Sequence, residues 1–282
     1  MALTFGLLAA LLWGLSDFLI SVSGRSFGVH RAMLYAQSIG VVLVGGWLLL
    51  AGLEVPAGAP ATSWIAAVGA APIGVAATLA LYHGLKVGQV SVVAPIAASF
   101  GAVTAALSLL SGERLQGNVL LGIALVIIGV LMVSLKIQDR EAKPASSGAA
   151  WGMFCAIAYG LQVWLQGRFA VPDLGSVWPV WIYYLISASL LGVAALVRRR
   201  AMTLPMNGVA TVAMTGGVAV CGFLALSAGL ATGELALVGV LTSLQSVVSV
   251  CLAGVFHRER LTRRQWAGLA VSIAGLAIIH LP

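Results

Sequence analysis

Ala80-Leu81-Tyr82-His83-Gly84-Leu85-Lys86-Val87-Gly88, running on through Pro95, Ser99 and Phe100 to Gly112-Glu113-Arg114-Leu115, is the stretch that decides the fold, because it occurs twice. The second copy is Ala225-Leu226-Ser227-Ala228-Gly229-Leu230-Ala231-Thr232-Gly233, running on to Arg258-Glu259-Arg260-Leu261. Ala-Leu, Gly-Leu and the next Gly match at one offset, and Glu-Arg-Leu matches after a single inserted residue. Gly122 and Gly129 then match Gly268 and Gly275, and Trp13-Gly14 lines up with Tyr159-Gly160. A repeat of roughly 145 residues is far longer than a solenoid unit and divides the chain into two related halves.

The solvent for these halves follows from composition. The 282 residues are 61% hydrophobic and 8% charged, whereas a soluble domain carries about 25% charged residues. Such a chain in water would expose large apolar patches. A spanning helix needs about 20 mostly apolar residues, and ten runs qualify: 3–22, 32–52, 62–84, 90–111 and 117–137 in the first half, then 149–168, 178–197, 208–230, 236–256 and 265–281. The first run lacks a basic leader and carries the repeated Trp-Gly, so it reads as a membrane helix and not as a signal peptide. The expected organisation is a first five-helix repeat over 1–137, a polar linker over 138–148 and a second repeat over 149–282. Five is odd, so homologous halves insert in opposite orientations. The predicted fold is an all-α membrane protein with two inverted five-helix repeats around a central cavity.

Charge orients it. Thirteen of the fifteen Lys and Arg fall in or beside the loops after helices 1, 3, 5, 7 and 9, and only Arg114 and Arg168 fall on the other side. The basic side is therefore expected in the cytoplasm, with both termini outside, as for a multi-pass protein of a bacterial inner membrane. The formal charge of +7 is not a nucleic-acid footprint, since it sits in short loops and not in a patch interleaved with aromatics. Cys155, Cys221 and Cys251 lie in apolar runs without metal-ligand spacing and read as small apolar residues. No cofactor or metal is expected. HExxH and a phosphate-binding glycine loop are missing, so no catalytic residues are assigned. Gly122, Gly129, Gly268 and Gly275 recur at helical spacing and are expected to bring helices together.

Candidate solute-binding residues are polar or aromatic groups deep in apolar runs: Tyr82, His83, Trp164 and Gln245 first, then Trp13, Ser99, Phe100, Tyr159 and Gln162. Each such amide or hydroxyl needs a partner on another helix or a wet cavity. Asp17 is the one acid well inside an apolar run. It is a gating or coupling candidate, or an acid that pairs with Arg25 near the interface. Expected partners are a small-molecule solute and membrane lipid; the sequence leaves the oligomeric state open and is compatible with a monomer.

These residues carry a resemblance. Trp13-Gly14 followed by Phe18, the pattern from Ala80 through Pro95 to Glu113-Arg114-Leu115, and its repeat ending at Glu259-Arg260-Leu261 resemble the drug/metabolite transporter superfamily in its ten-helix EamA-type branch. Within it the chain looks most like the YddG-like aromatic amino-acid exporters. The resemblance implies a secondary transporter that exports amino acids or similar metabolites by alternating access. Two departures are Asp17, where the family commonly has Asn, and Val240, where the first half has Pro95. A multidrug or cationic-compound exporter is the first rival reading, and a membrane enzyme or lipid-handling protein the second.

Overall fold

The structure, a computed structural model, describes residues 1–27, 29–87, 93, 96–134, 146–199, 206–256 and 262–279. Every regular element among them is helical. The first half supplies α1 (Ala2–Phe27), α2 (Val29–Leu50), α3 (Ala61–Val87), α4 (Phe100–Leu110) and α5 (Gly117–Ser134). The second begins with α6, which runs over Ser146–Leu165 and continues through a π turn, Gln166–Ala170, and a last turn, Val171–Leu174. Then come α7 (Trp178–Val197), α8 (Met206–Leu230), α9 in two segments (Leu235–Ser243 and Gln245–Phe256) and α10 (Arg263–Ile279). Five stretches, on α2, α3, α6, α7 and α8, are long and apolar enough to cross a membrane alone, and α1, α4, α5 and α9 hold shorter apolar helices.

Local chemistry accounts for the departures from the expected bounds. α6 outruns its expected end at 168 because the π turn carries it to Gly175, whose φ of 69° suits a residue without a Cβ and stops the helix. Ser99 separates α4 from a helical turn at 96–98, and Leu244 separates the two segments of α9; the repeat places Ser99 and Leu244 opposite one another. At Ser99 the hydroxyl donates to the Ile96 carbonyl at 2.6 Å, and next to Leu244 the Ser243 hydroxyl donates to the Val240 carbonyl at 2.6 Å. A hydroxyl that takes a carbonyl of its own helix competes with the backbone ladder and bends it. Pro72 lies inside α3 without ending it, as membrane helices allow when neighbours satisfy the freed backbone groups. Pro95, Glu259-Arg260-Leu261, most of the 138–148 linker, and the side chains of Tyr82, Lys86 and Arg25 lie outside the described residues.

Helix neighbours obey the repeat. α1 packs on α8 as α6 packs on α3; α1 packs on α9 as α6 packs on α4; α2 packs on α8 as α7 packs on α3. α2 with α7, α4 with α9 and α5 with α10 pair with their own counterparts. Exchanging every helix for its repeat partner leaves these pairs unchanged, the mark of a pseudo-two-fold relating inverted halves. Single residues repeat it: a Cβ on Gly14 would strike Val248 and the Gln245 carbonyl, and one on Gly160 would strike Val103 and the Phe100 carbonyl.

α5 and α10 form the closest pair. Gly122 faces Gly275, Gly129 faces Gly268, and a Cβ on any of the four would lie within 3.0 Å of the facing helix's backbone. These glycines serve backbone-to-backbone contact, as expected. On the side away from the basic loops, Glu113 ties the halves together. Both its carboxylate oxygens accept from the Ala236 N–H, at 3.3 and 3.1 Å, at the start of α9. A carboxylate at a helix N-terminus satisfies an orphan donor and meets the positive end of the dipole. Cys155 is buried and Cys251 half-buried, whereas Cys221 is exposed, so the three cysteines of the apolar runs do not share one environment.

Candidate functional site

A cavity with about 1070 Å³ of empty space, mouth included, lies between the halves. α1 contributes Trp13, Ser16 and Asp17, α2 Met33 and Gln37, α3 Thr78 and Leu81, and α4 Phe100. From the other half come Tyr159 and Gln162 on α6, Tyr183 and Tyr184 on α7, Thr215 and Phe223 on α8, and Gln245 on α9. Positions 13–17 of α1, 32–37 of α2 and 78–81 of α3 lie between mid-membrane and the basic loops, so the cavity occupies that half of the bundle. Towards the other side the same helices are packed shut through Ala9, Ala10, Ala67, Ala71, Leu226 and Leu230, each no more than 1% exposed.

Small residues on facing helices set the aromatic walls in place. The Trp13 indole lies against Gly222 of α8 and donates its N–H to the Ala219 carbonyl at 3.2 Å. The Tyr184 ring lies against Gly40 of α2, where a Cβ would collide with it. Gln162 has its amide oxygen against Gly74 of α3. Phe223 sits centrally, with ring centroids 4.7 Å from Tyr183, 5.9 Å from Tyr184 and 5.7 Å from Trp13. Phe100 and Tyr159 meet at 6.1 Å across the α4–α6 seam. Such edge-on and tilted pairs add about 0.5–1.5 kcal/mol each beyond burial.

Several polar groups of the lining are engaged: Trp13 as above, Thr215 by the Thr211 carbonyl at 2.7 Å, and the Tyr159 and Thr78 hydroxyls by each other at 2.5 Å. Two amide acceptors are not. The amide oxygens of Gln37 and Gln245 are buried and have no hydrogen-bond partner in the protein. Asp17 is exposed to the cavity and makes no ion pair among the described residues. No Lys, Arg or His is among the described lining residues. The site therefore presents aromatic faces, two spare carbonyl-type acceptors and one carboxylate.

Of the residues expected from sequence, the cavity gathers Trp13, Asp17, Phe100, Tyr159, Gln162 and Gln245. His83 is not among its lining; it is exposed and meets Trp151 edge-on at 4.5 Å. Trp164 lies towards the far side, donating to the Ser111 hydroxyl at 3.1 Å and packed on Phe169. Ser99 turns its hydroxyl back to its own helix, and the Tyr82 side chain lies outside the described residues. Tyr183, Tyr184, Phe223, Thr78, Thr215 and Gln37 were not anticipated. Gln37 carried a readable signal, an amide in mid-run. Tyr183 and Tyr184, close behind Trp178 and Trp181, read instead as an interfacial aromatic belt.

A model of the EamA-like transporter family matches residues 1–135 and 146–281. No curated protein matches the chain. One solved structure, titled only as a crystal structure of a protein, aligns with a TM-score of 0.81 at 19% identity, covering 99% of this chain and 96% of that one. At that identity the likeness speaks for the fold alone.

Proposed function

Because the chain belongs to the EamA-like transporter family, a family of membrane transporters, we propose that it is a secondary transporter of small solutes carrying an ammonium group on an apolar or aromatic body. One observation carries this. Among the described lining residues the amide oxygens of Gln37 and Gln245 have no hydrogen-bond partner, Asp17 makes no ion pair, and no Lys, Arg or His occurs. An ammonium group supplies donors and a positive charge for that set, and aromatic faces suit both a cation and an apolar body. This favours amines and organic cations, the rival reading of the sequence. Amino acids, including aromatic ones, are the second reading: they share the ammonium group and fit the box of Trp13, Phe100, Tyr159, Tyr183, Tyr184 and Phe223. Export by alternating access is the mode that suits an inverted repeat with a cavity reaching one side.

Three compounds sharing one ring separate the readings: phenethylamine, phenylalanine and phenylpropionate, each tested for counterflow in proteoliposomes. The amine should exchange fastest, the amino acid next, and the acid not at all. Exchange of the acid as fast as the amine would overturn the ammonium assignment. Orientation is tested separately. With the basic side in the cytoplasm and both termini outside, a cysteine at Ala57 labels from outside the cell and one at Ser146 only after permeabilisation.

A further inference from the structure

The packed half of the bundle holds polar groups that its packing does not use. Gln166 is fully buried, at 0% exposure, and neither its amide nitrogen nor its amide oxygen has a partner in the protein. Ser227 is also at 0% exposure, and its hydroxyl is likewise unpartnered. Buried polar groups are normally paired, and an amide with both ends unmade is costly enough to need a reason.

Their positions supply one. Gln166 is four residues beyond Gln162 on α6, and Ser227 four residues beyond Phe223 on α8, so each lies one helical turn, about 5.4 Å, away from the cavity. Both turns lead to the side opposite the basic loops. The π turn that begins at Gln166 packs on α3 and α8. Its Gly167 abuts Leu235 and Leu230, the residues that close the bundle there. π turns inside α-helices often mark functional positions. The seam ends at the point where Glu113 holds the first turn of α9.

We propose that the closed half of the permeation path runs along the seam of α6 and α8, and that Gln166 and Ser227 are its hydrogen-bonding station. They receive the ammonium or hydroxyl donors of the solute, and water, when that side opens. The inference rests on the transport reading above. It accounts for why two costly groups lie in line with the cavity: their partners arrive in the other state of the cycle. It also assigns a role to the π turn, which sets Gln166 and Gly167 against α8.

The test uses the full-length chain with Cys155, Cys221 and Cys251 replaced by Ser, reconstituted in vesicles. Gln166→Cys and Ser227→Cys are treated with a membrane-impermeant maleimide added to either side. Val126→Cys, equally buried but at the α5–α10 contact, is the control. Both seam positions should label from the side bearing the 51–60 loop, and the control should not. Failure of both to label, in variants that still transport, overturns the station. A wild type that moves none of the three ring compounds overturns the transport assignment instead, and the labelling result stands apart from it. In addition, Gln166→Leu should lower turnover about tenfold, equal to about 1.4 kcal/mol of barrier, with equilibrium binding from the basic side unchanged. Should that variant fail to fold, Ser227→Ala is read the same way. Wild-type turnover in both variants also overturns the inference.

Discussion

Gly129→Ala puts the α5–α10 contact to the test with a single methyl group. An ideal Cβ at Gly129 would stand 2.6 Å from the Gly268 carbonyl oxygen and 2.7 Å from the Ser272 backbone nitrogen, with the Ser272 hydroxyl closer still. Ordinary contact begins at 3.4 Å, so the gap is short by 3.4 less 2.6, about 0.8 Å. The obstructing atoms are backbone, which no rotamer change removes, so the two helices must part. Overpacking of this kind costs about 1–3 kcal/mol. Against it stands the gain of Ala over Gly in a helix, about 0.8–1.0 kcal/mol. The net effect is a loss of up to about 2 kcal/mol. Gly46→Ala on α2 and Gly69→Ala on α3 are the controls, since nothing lies within 4 Å of a Cβ at either. They should gain the propensity term alone, up to about 1 kcal/mol. Unfolding in mixed micelles, monitored by helical circular dichroism, should therefore separate the two classes by about 1–3 kcal/mol. Gly129→Ala with Gly268→Ala should cost less than the sum of the single changes, because one separation of the helices relieves both. Stability of Gly129→Ala equal to that of Gly46→Ala would refute the backbone-contact reading of the pair.

Asp17→Asn should weaken phenethylamine binding about tenfold or more, since a hydrogen bond to a charged group contributes about 1.5–3 kcal/mol; binding of an uncharged analogue of the same size, measured by isothermal titration, should not change. Tyr159→Phe removes one partner of the Thr78 hydroxyl, which keeps its bond to the Gly74 carbonyl at 2.9 Å, so the expected loss is about 1 kcal/mol of unfolding free energy. Burial pushes the Glu113 carboxyl above its ordinary 4.5, opposed by the Ala236 N–H and the Ser108 hydroxyl and reinforced by the charge of Glu234. A raised carboxyl pKa penalises the ionised folded state, so this contribution is absent below pH 4.5 and stability falls as pH rises towards the raised value. Glu113→Gln keeps an acceptor for Ala236 and should flatten that fall in thermal scans, whereas Glu113→Ala also loses the cap, at about 1 kcal/mol.

Two levels of information separate cleanly in this protein. The repeat of Ala80–Gly88 at Ala225–Gly233, the ten apolar runs and the odd number per half suffice for the membrane class and the inverted architecture, because hydropathy and parity are properties of the chain itself. The four glycines of α5 and α10 were readable for the same reason: their spacing puts them on one helical face before any partner is known. The shared outline of the cavity was partly readable too. Trp13, Phe100, Tyr159, Gln162 and Gln245 are aromatic or amide groups too deep for an interfacial belt, and depth can be counted from the ends of a run.

Rotation about each helix axis, by contrast, belongs to the assembled bundle. A residue at mid-depth faces the cavity, a neighbour or lipid according to how its helix is turned, and that is settled by packing across the halves. Tyr184 enters the cavity because Gly40, on a helix from the other half, leaves room for its ring. His83, at a comparable distance from its helix end, turns outward to Trp151. The interruptions at Ser99 and Leu244 and the π turn at Gln166 also escape the sequence, because a serine or glutamine in an apolar run reads the same whether its hydrogen bond goes to its own helix, to another helix or to none. What only the tertiary structure decides is the pairing of acceptors and donors, from Asp17 and Gln245 left open in the cavity to Gln166 closed off beyond it, since hydrogen bonding is a relation between side chains distant in sequence.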